Sequence, residues 1–481
     1  MLFNSYAFLW FLPFSLLLYW ALYRYLRLQN VVLVVLSYLF YAWWDFRFLA
    51  LIFIITLLGY VCGLAIEVAR SHNHSGKTAC TLCVVLCLVI LGAFKYYDFF
   101  VESLNTLFMS VGIHFLFPLW KVVLPVGISF YTFQVLSYAI DVYHHKISAC
   151  RDWISFAAFV SFFPQLVAGP IERATHLLPQ IQQPRLVAYV DVVDGLRLIL
   201  WGFVKKMWIA DSCAPIVNEI YANPSSDGTD LWMGTILFAF QIYGDFSGYS
   251  DIAIGVSRLF GIKLMRNFNL PYFARNVSDF WRRWHISLMS WFRDYIYIPL
   301  GGSRCGSCRA LLNTFVVFMV SGLWHGANWT FVFWGFYHSL CFVPIVLSPR
   351  LKSYCNLMED KNVPNLLPSI KELVQMSVTF LIICIGWVFF RSPDLTVAFD
   401  HLNKMFTDIR LHTPYGGLSS LYPILFLVSF EWIMRGQAHT LYFKGNGILR
   451  YRAVRWSLYY FLIWGVLYWG GQQSVFIYFQ F

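Results

Sequence analysis

A chain of 481 residues with 59% hydrophobic, 20% aromatic and only 12% charged residues excludes an ordinary soluble domain, whose charged share would be about twice as large. The net charge of +11 does not point to nucleic acid, because the lysines and arginines sit in short loops between apolar runs, where they set membrane orientation. At roughly 20 residues per span plus connections, ten or so transmembrane helices fit, as one all-α polytopic membrane domain over residues 1–481.

Met1-Leu-Phe-Asn-Ser5 has no basic leader and no small-residue cleavage site follows it, so the first apolar run is expected to stay as a span. Runs at about residues 6–23, 31–44, 48–69 and 79–94 read as four closely spaced spans, the second leaning on its aromatic flank Tyr41-Ala-Trp-Trp44. Arg24 and Arg27 follow the first run, and Arg70 and Lys77 the third. The loops with Asp45/Arg47 and Lys95/Asp98/Glu102 carry no positive excess, so the N-terminus is expected outside.

Leu124-Pro-Val-Gly-Ile-Ser-Phe-Tyr-Thr-Phe-Gln134 is broken early by Pro125 and Gly127. Freed backbone groups at membrane depth must be buried in protein or line a wet cavity. The run at 153–168 is expected to kink or stop at Pro164 and Gly169-Pro170, and a long segment from Val187 to Tyr221 is interrupted by Lys205-Lys206. Residues 231–243 then lead into Tyr243-Gly-Asp-Phe-Ser-Gly-Tyr-Ser-Asp251. A solvated loop and a functional or partner-satisfied polar site are the two readings. The cost of unpaired carboxylates in an apolar region favours the second, with Asp245 and Asp251 as substrate-binding candidates.

Arg258 to Arg309 holds nine Lys/Arg against two Asp, the densest basic excess, and is expected in the cytoplasm. Within it Trp281, Trp284, Leu288 and Phe292 recur at helical spacing, opposite Asp279, Arg282, Arg283, Ser290 and Arg293, as in one amphipathic interfacial helix. His285 falls at the border of the aromatic face, either as a packed core residue or as a catalytic or substrate contact. Cys305-Gly-Ser-Cys308 lacks the further ligands a structural zinc needs, so no metal is expected. The other cysteines lie mostly inside apolar runs and behave as small hydrophobes.

Apolar runs at about 310–323 and 328–347 flank Ser321-Gly-Leu-Trp-His-Gly326. Ionisable groups at membrane depth are rare and usually functional, which makes His325 the centre of the expected chemistry. The polar stretch 350–372 reads as a surface loop or interfacial helix, and Ser392 to Ser420 as an extramembrane helix. Runs near 374–390, 420–434 and 456–469 complete the bundle. No His followed five positions later by Asp, no Gly-x-Ser-x-Gly, no His-Glu-x-x-His and no phosphate-binding Gly-x-x-x-x-Gly-Lys is present.

The motifs that remain lie in a fixed order: Met1-Leu-Phe-Asn-Ser5, Leu124 to Gln134, Gly169-Pro-Ile-Glu172, Tyr243 to Asp251, Asp279-Phe-Trp-Arg-Arg-Trp-His-Ile-Ser-Leu288, Ser321-Gly-Leu-Trp-His-Gly326 and Phe476-Ile-Tyr-Phe-Gln-Phe481. Together they resemble the membrane-bound O-acyltransferase family, in its bacterial alginate O-acetyltransferase branch, over nearly the whole chain. The resemblance implies a ring of about ten or eleven transmembrane helices, with interfacial and re-entrant helices, around a central funnel. It makes His325 the active-site histidine and His285 the second motif position.

The activity it implies is transfer of an acetyl group, with acetyl-CoA as donor and no bound cofactor, for O-acetylation of an extracytoplasmic polysaccharide such as alginate. His325 would be the general base for the acceptor hydroxyl, and an acyl-enzyme intermediate is an open variant. Asn328 and nearby backbone N–H groups are oxyanion-donor candidates, with Trp324 beside the base. Arg282 and Arg283 are candidates for the coenzyme phosphates, against a plain role in setting topology. A periplasmic, membrane-anchored partner with an SGNH-type esterase-like domain is implied, in the bacterial inner membrane. D-alanyl transfer to teichoic acid, peptidoglycan O-acetylation and secondary transport stay open as alternatives; the last predicts inverted repeats, which the sequence does not display.

Overall fold

Apolar runs with no polar face form helices that are buried or face lipid, and all regular structure among the described residues is helical. The computed structural model describes residues 1–351, 353, 367–443, 448–470, 474, 476 and 477, so most of the polar stretch 350–372 lies outside the described residues. Two compact units share the chain: Met1–Val192 with Val256–Met265, and Val193–Gly255 with Arg266–Phe481.

In the first unit, α1 (Tyr6–Ala21), α2 (Leu26–Ala42), α3 (Leu49–Ser71) and α4 (Lys77–Lys95) follow the four apolar runs. The loop expected after them instead contains α5 (Tyr97–Ser110). Gly127, at φ 75°, turns the chain after Pro125 into α6 (Ile128–Tyr143), which is buried on every side from Ile128 to Ala139. The 153–168 run splits at Phe162 into α7 (Trp153–Ser161) and α8 (Phe163–Leu166), with Pro164 in the opening turn of the second, where a missing N–H costs nothing. Before α9 (Ala174–Gln182), Glu172 is fully buried; its carboxylate accepts from the Met265 N–H and lies 2.6 Å from His176 Nδ1.

The second unit takes in most of α10 (Tyr189–Phe203), a π-helical stretch Val204–Ala210, α11 (Asp211–Ala222) and most of α12 (Gly228–Leu259). The Tyr243–Asp251 stretch is therefore not a solvated loop. It lies inside the 32-residue α12 and is buried apart from half-buried Asp251. Its charges are paired: Lys205 Nζ is 2.7 Å from Asp251 Oδ2, and Lys206 Nζ lies 2.7 Å from Asp245 Oδ1 and 2.8 Å from Asp211 Oδ1. Close approach makes this geometry possible, since a Cβ on Gly248 would stand 2.7 Å from the Gly202 carbonyl oxygen and 3.0 Å from Lys206 N. Small residues at such crossings let helix backbones touch.

Further on come α13 (Val277–Arg283), α14 (Ile286–Phe292), α15 (Ser307–His325) and α16 (Trp329–Leu347), the last two packed along each other. They are followed by α17 (Ile370–Arg391), α18 (Leu395–Thr407), α19 (Tyr422–Met434) and α20 (Arg452–Trp469). Among the described residues, five helices are long and apolar enough to cross a bilayer: Phe46–Ser71, Lys77–Lys95, Ser307–His325, Trp329–Leu347 and Ile370–Arg391. Three shorter apolar helices, Tyr6–Ala21, Leu26–Ala42 and Leu418–Met434, accompany them.

Gly248→Val is expected to overpack the α10–α12 crossing and destabilise the protein by about 1–3 kcal/mol. Gly92→Ala, where an added Cβ meets nothing within 4 Å, is expected to be neutral or stabilising by up to about 1 kcal/mol. Thermal melts in detergent check the pair; equal shifts for both would contradict the crossing.

Candidate active site

The aromatic spacing from Trp281 to Phe292 suggests one continuous helix, yet the chain breaks at His285, which takes φ 44° between α13 and α14. Asn267 holds the break open. Its Oδ1 accepts from Ser287 N–H (3.2 Å) and Ser287 Oγ (2.9 Å), its carbonyl accepts from Ile286 N–H (2.8 Å), and its Nδ2 donates to Ser250 Oγ (3.1 Å). The expected single amphipathic helix is thus two short helices. The aromatic face survives the break, with Trp281, Trp284, Leu288 and Phe292 all buried.

The same Asn267 oxygen fixes the His285 tautomer. A backbone N–H can face only an oxygen, so the atom 3.1 Å from His285 Nδ1 is an acceptor and Nδ1 carries the proton. Nε2 keeps its lone pair and has no hydrogen-bond partner among the described residues. Burial pushes the imidazole down to about 3, so it is neutral at physiological pH.

His325 closes α15, and Gly326 after it turns the chain sharply into extended backbone. A Cβ at Gly326 would fall on the Phe331 ring, so the turn has room only for glycine. The His325 ring is buried in an aromatic box, edge-on to Trp334 (5.0 Å), Phe390 (5.1 Å) and Trp324 (5.0 Å). Trp324 also stands 5.7 Å from His285. The structure therefore brings both histidines to one indole. Phe246 packs edge-on against His285 at 4.7 Å.

His338, which the sequence reading passes over, is 1% exposed and touches Trp334 (4.8 Å) and Trp281 (4.9 Å). Neither ring nitrogen has a hydrogen-bond partner among the described residues. The available signal was its position four residues after Trp334 in an apolar run. On the far side of Trp281 lies a groove of 520 Å³ between α13, α14, α15 and α16, with Arg282, Ser290 and Arg293 on its lining and Phe318 and Phe342 along its apolar wall. Arg283 does not line it; its Nε is 2.7 Å from Asp279 Oδ1, the i,i+4 pair that helical spacing predicts.

The remaining candidates are engaged elsewhere. Asp245 and Asp251 are paired with lysines as described, and Asp245 Oδ2 also accepts from Ile477 N–H. Asn328 caps α16, its Oδ1 accepting from Thr330 N–H (3.0 Å) while Nδ2 donates to the Pro393 carbonyl (2.9 Å). Cys305 and Cys308 are exposed and unbridged. Among the described residues one trio, Asp227, Asp230 and His412, brings ligand atoms within 4.8 Å of one another. His412 turns Nδ1 to Asp227 (3.6 Å) and Nε2 to Asp230 (3.4 Å), and Arg410 Nε stands 3.9 Å from Asp227.

Because the folded state keeps His285 neutral while the unfolded chain binds its proton near the usual value of 6.5, its contribution to stability is complete above that pH. It is lost as pH falls from 6.5 toward 3, with a slope of at most about 1.4 kcal/mol per pH unit. Melting curves across that range should be flatter for His285→Gln than for the wild type. Parallel curves would contradict the buried neutral imidazole.

The profile of the membrane-bound O-acyltransferase family matches residues 38–386, a range that contains both histidines and Trp324. The chain is 40% identical over 408 residues to the probable alginate O-acetylase AlgI of Azotobacter vinelandii, covering 85% of this chain and 78% of that protein. It is 34% identical over 437 residues to a peptidoglycan O-acetyltransferase of Helicobacter pylori, covering 84% and 80%. A teichoic acid D-alanyltransferase of Bacillus subtilis is 28% identical over 282 residues, covering 55% and 68%. Matched by that profile over most of its length, and helical throughout its described regular structure, this chain belongs to the membrane-bound O-acyltransferase family.

Proposed function

We propose that this chain moves acetyl groups from cytoplasmic acetyl-CoA for O-acetylation of an extracytoplasmic polysaccharide, alginate or a polymer like it. The single observation that carries the site assignment is the convergence of His325 and His285 on Trp324, at 5.0 and 5.7 Å. The likeness to alginate O-acetylases at 40% identity supports acetyl as cargo. In this reading the protein sits in a bacterial inner membrane with its N-terminus outside, its helices forming a ring of about ten or eleven around a funnel.

His325 takes the proton of the acceptor hydroxyl as its oxygen attacks the thioester carbonyl, and returns a proton to the leaving thiolate. His285, neutral with Nδ1 locked, offers Nε2 as a hydrogen-bond acceptor that orients the reacting group. Trp324 holds the two imidazoles apart and keeps water from them. The backbone N–H groups after His325 are the donors to the developing oxyanion in this reading, the Asn328 amide being committed to its cap and to Pro393.

The groove beside Trp281 suits the donor: arginines for phosphates at the lining and an apolar wall for the pantetheine arm. From its inner wall the rings run Trp281 to Trp334 at 5.5 Å and Trp334 to His325 at 5.0 Å. Arg282 and Arg293, in place of Arg283, are the phosphate contacts in this reading. Asp245 and Asp251 hold the frame and do not touch substrate. The polymer is reached through a periplasmic SGNH-type partner that accepts the acetyl group.

Two measurements test this. Alkali-labile ester on surface polysaccharide of expressing cells should release acetate; D-alanine in its place, or no ester at all, would overturn the cargo. In membranes given labelled acetyl-CoA, Arg282→Gln and Arg293→Gln should each raise KM for the donor about tenfold with kcat little changed. An unchanged KM in both would remove the groove from the donor path.

A further inference from the structure

Lys206 is a buried charge in the second unit held by two carboxylates, and acyl transfer as described makes no use of it. Besides Asp211 and Asp245, its ammonium donates to the Ser474 carbonyl (3.2 Å) and Ser474 Oγ (3.4 Å). The Ser474 hydroxyl donates to Asp211, and the Ile477 N–H donates to Asp245 Oδ2 at 2.6 Å. All three charged side chains are at most 7% exposed. Residues near the end of the sequence are thus tied at two points to charges that cannot be left unpaired.

Between those ties lies Phe476, 1% exposed, with its ring 5.0 Å from Tyr249 and 6.4 Å from Phe246. Phe246 follows Asp245 directly in α12, so tether and ring share one turn, and Phe246 stands edge-on to His285 at 4.7 Å and 85°. Asn267 fixes His285 at Nδ1, and Phe246 stands against the same imidazole ring.

We infer that Ser474, Phe476 and Ile477 form a strap, clamped by the Lys206–Asp211–Asp245 cluster, that presses Phe246 against His285 and so sets the position of that imidazole. The inference rests on the reading that His285 belongs to the acyl-transfer site. Phe476 is a positioning residue in it and touches neither substrate nor the reacting atoms.

The test uses the full chain in native membranes with labelled acetyl-CoA, comparing wild type, Phe476→Ala, Phe476→Leu and His285→Ala. Phe476→Ala should lower kcat by about 10²-fold, the scale of an ångström-size misplacement, with KM for acetyl-CoA unchanged, and Phe476→Leu should recover most of the loss. Diethyl pyrocarbonate should modify His285 several-fold faster in Phe476→Ala than in wild type, read by peptide mass spectrometry. Unchanged kcat and unchanged labelling in Phe476→Ala, while His285→Ala is inactive, would overturn the strap alone. Full activity in His285→Ala would overturn the site reading and the strap with it. A loss in Phe476→Ala that comes with a lowered melting temperature and is not recovered by leucine would reduce the segment to plain packing. Should Phe476→Ala fail to insert, Ile477→Pro, which removes the N–H given to Asp245, is read by the same two measures and against the same outcomes.

Discussion

A charge taken out of water must find an opposite charge or be neutralised, and that constraint shapes the second unit. Lys205 and Lys206 are neighbours in sequence, yet both reach carboxylates on α12, Asp251 and Asp245. An α-helix would turn adjacent residues well apart; the π-helical winding of Val204–Ala210 brings them nearer to one face. Gly248 then lets α12 come close enough for both contacts. Removing one partner of such a pair leaves a buried charge uncompensated, at a cost of roughly 3–5 kcal/mol. The pairs therefore specify the register of α12, and with it the place of Phe246 and Ser250, which bear on His285 directly and through Asn267.

Aromatic rings line the site. Trp324, Trp334 and Phe390 stand against His325, and Trp324 and Phe246 against His285. Stiff aromatic walls hold an imidazole in place and exclude water. That is the environment in which a neutral base and an oxyanion are both most sensitive to a few well-placed dipoles. The hydrogen bond to Asn267 sets the His285 tautomer, and Nε2 has no partner among the described residues.

Much of this was legible in the residues. The four opening helices, the hairpin around His325 and the helix after Ser392 follow from runs of apolar residues and their interruptions, which report local structure directly. The carboxylates of Tyr243–Asp251 were readable as partner-satisfied, but not as part of one long helix, because the lysines that pair them lie some forty residues earlier. The break at His285 was hidden for a different reason. Trp281, Trp284, Leu288 and Phe292 keep helical spacing across it, and only Asn267, remote in sequence, shows why the chain turns there. Asn328 was an oxyanion-donor candidate by its nearness to His325 in sequence, whereas its position directly before a helix makes it a cap. His338 and the contacts of Ser474, Phe476 and Ile477 depend on tertiary packing that no local pattern announces.

The most direct test of the central claim is ester-linked acetate on cell-surface polysaccharide, compared between wild type and His325→Ala at matched membrane insertion. Loss of the acetate from a folded, inserted variant is the predicted result. Wild-type acetate in that variant would contradict the assignment of His325 as the base.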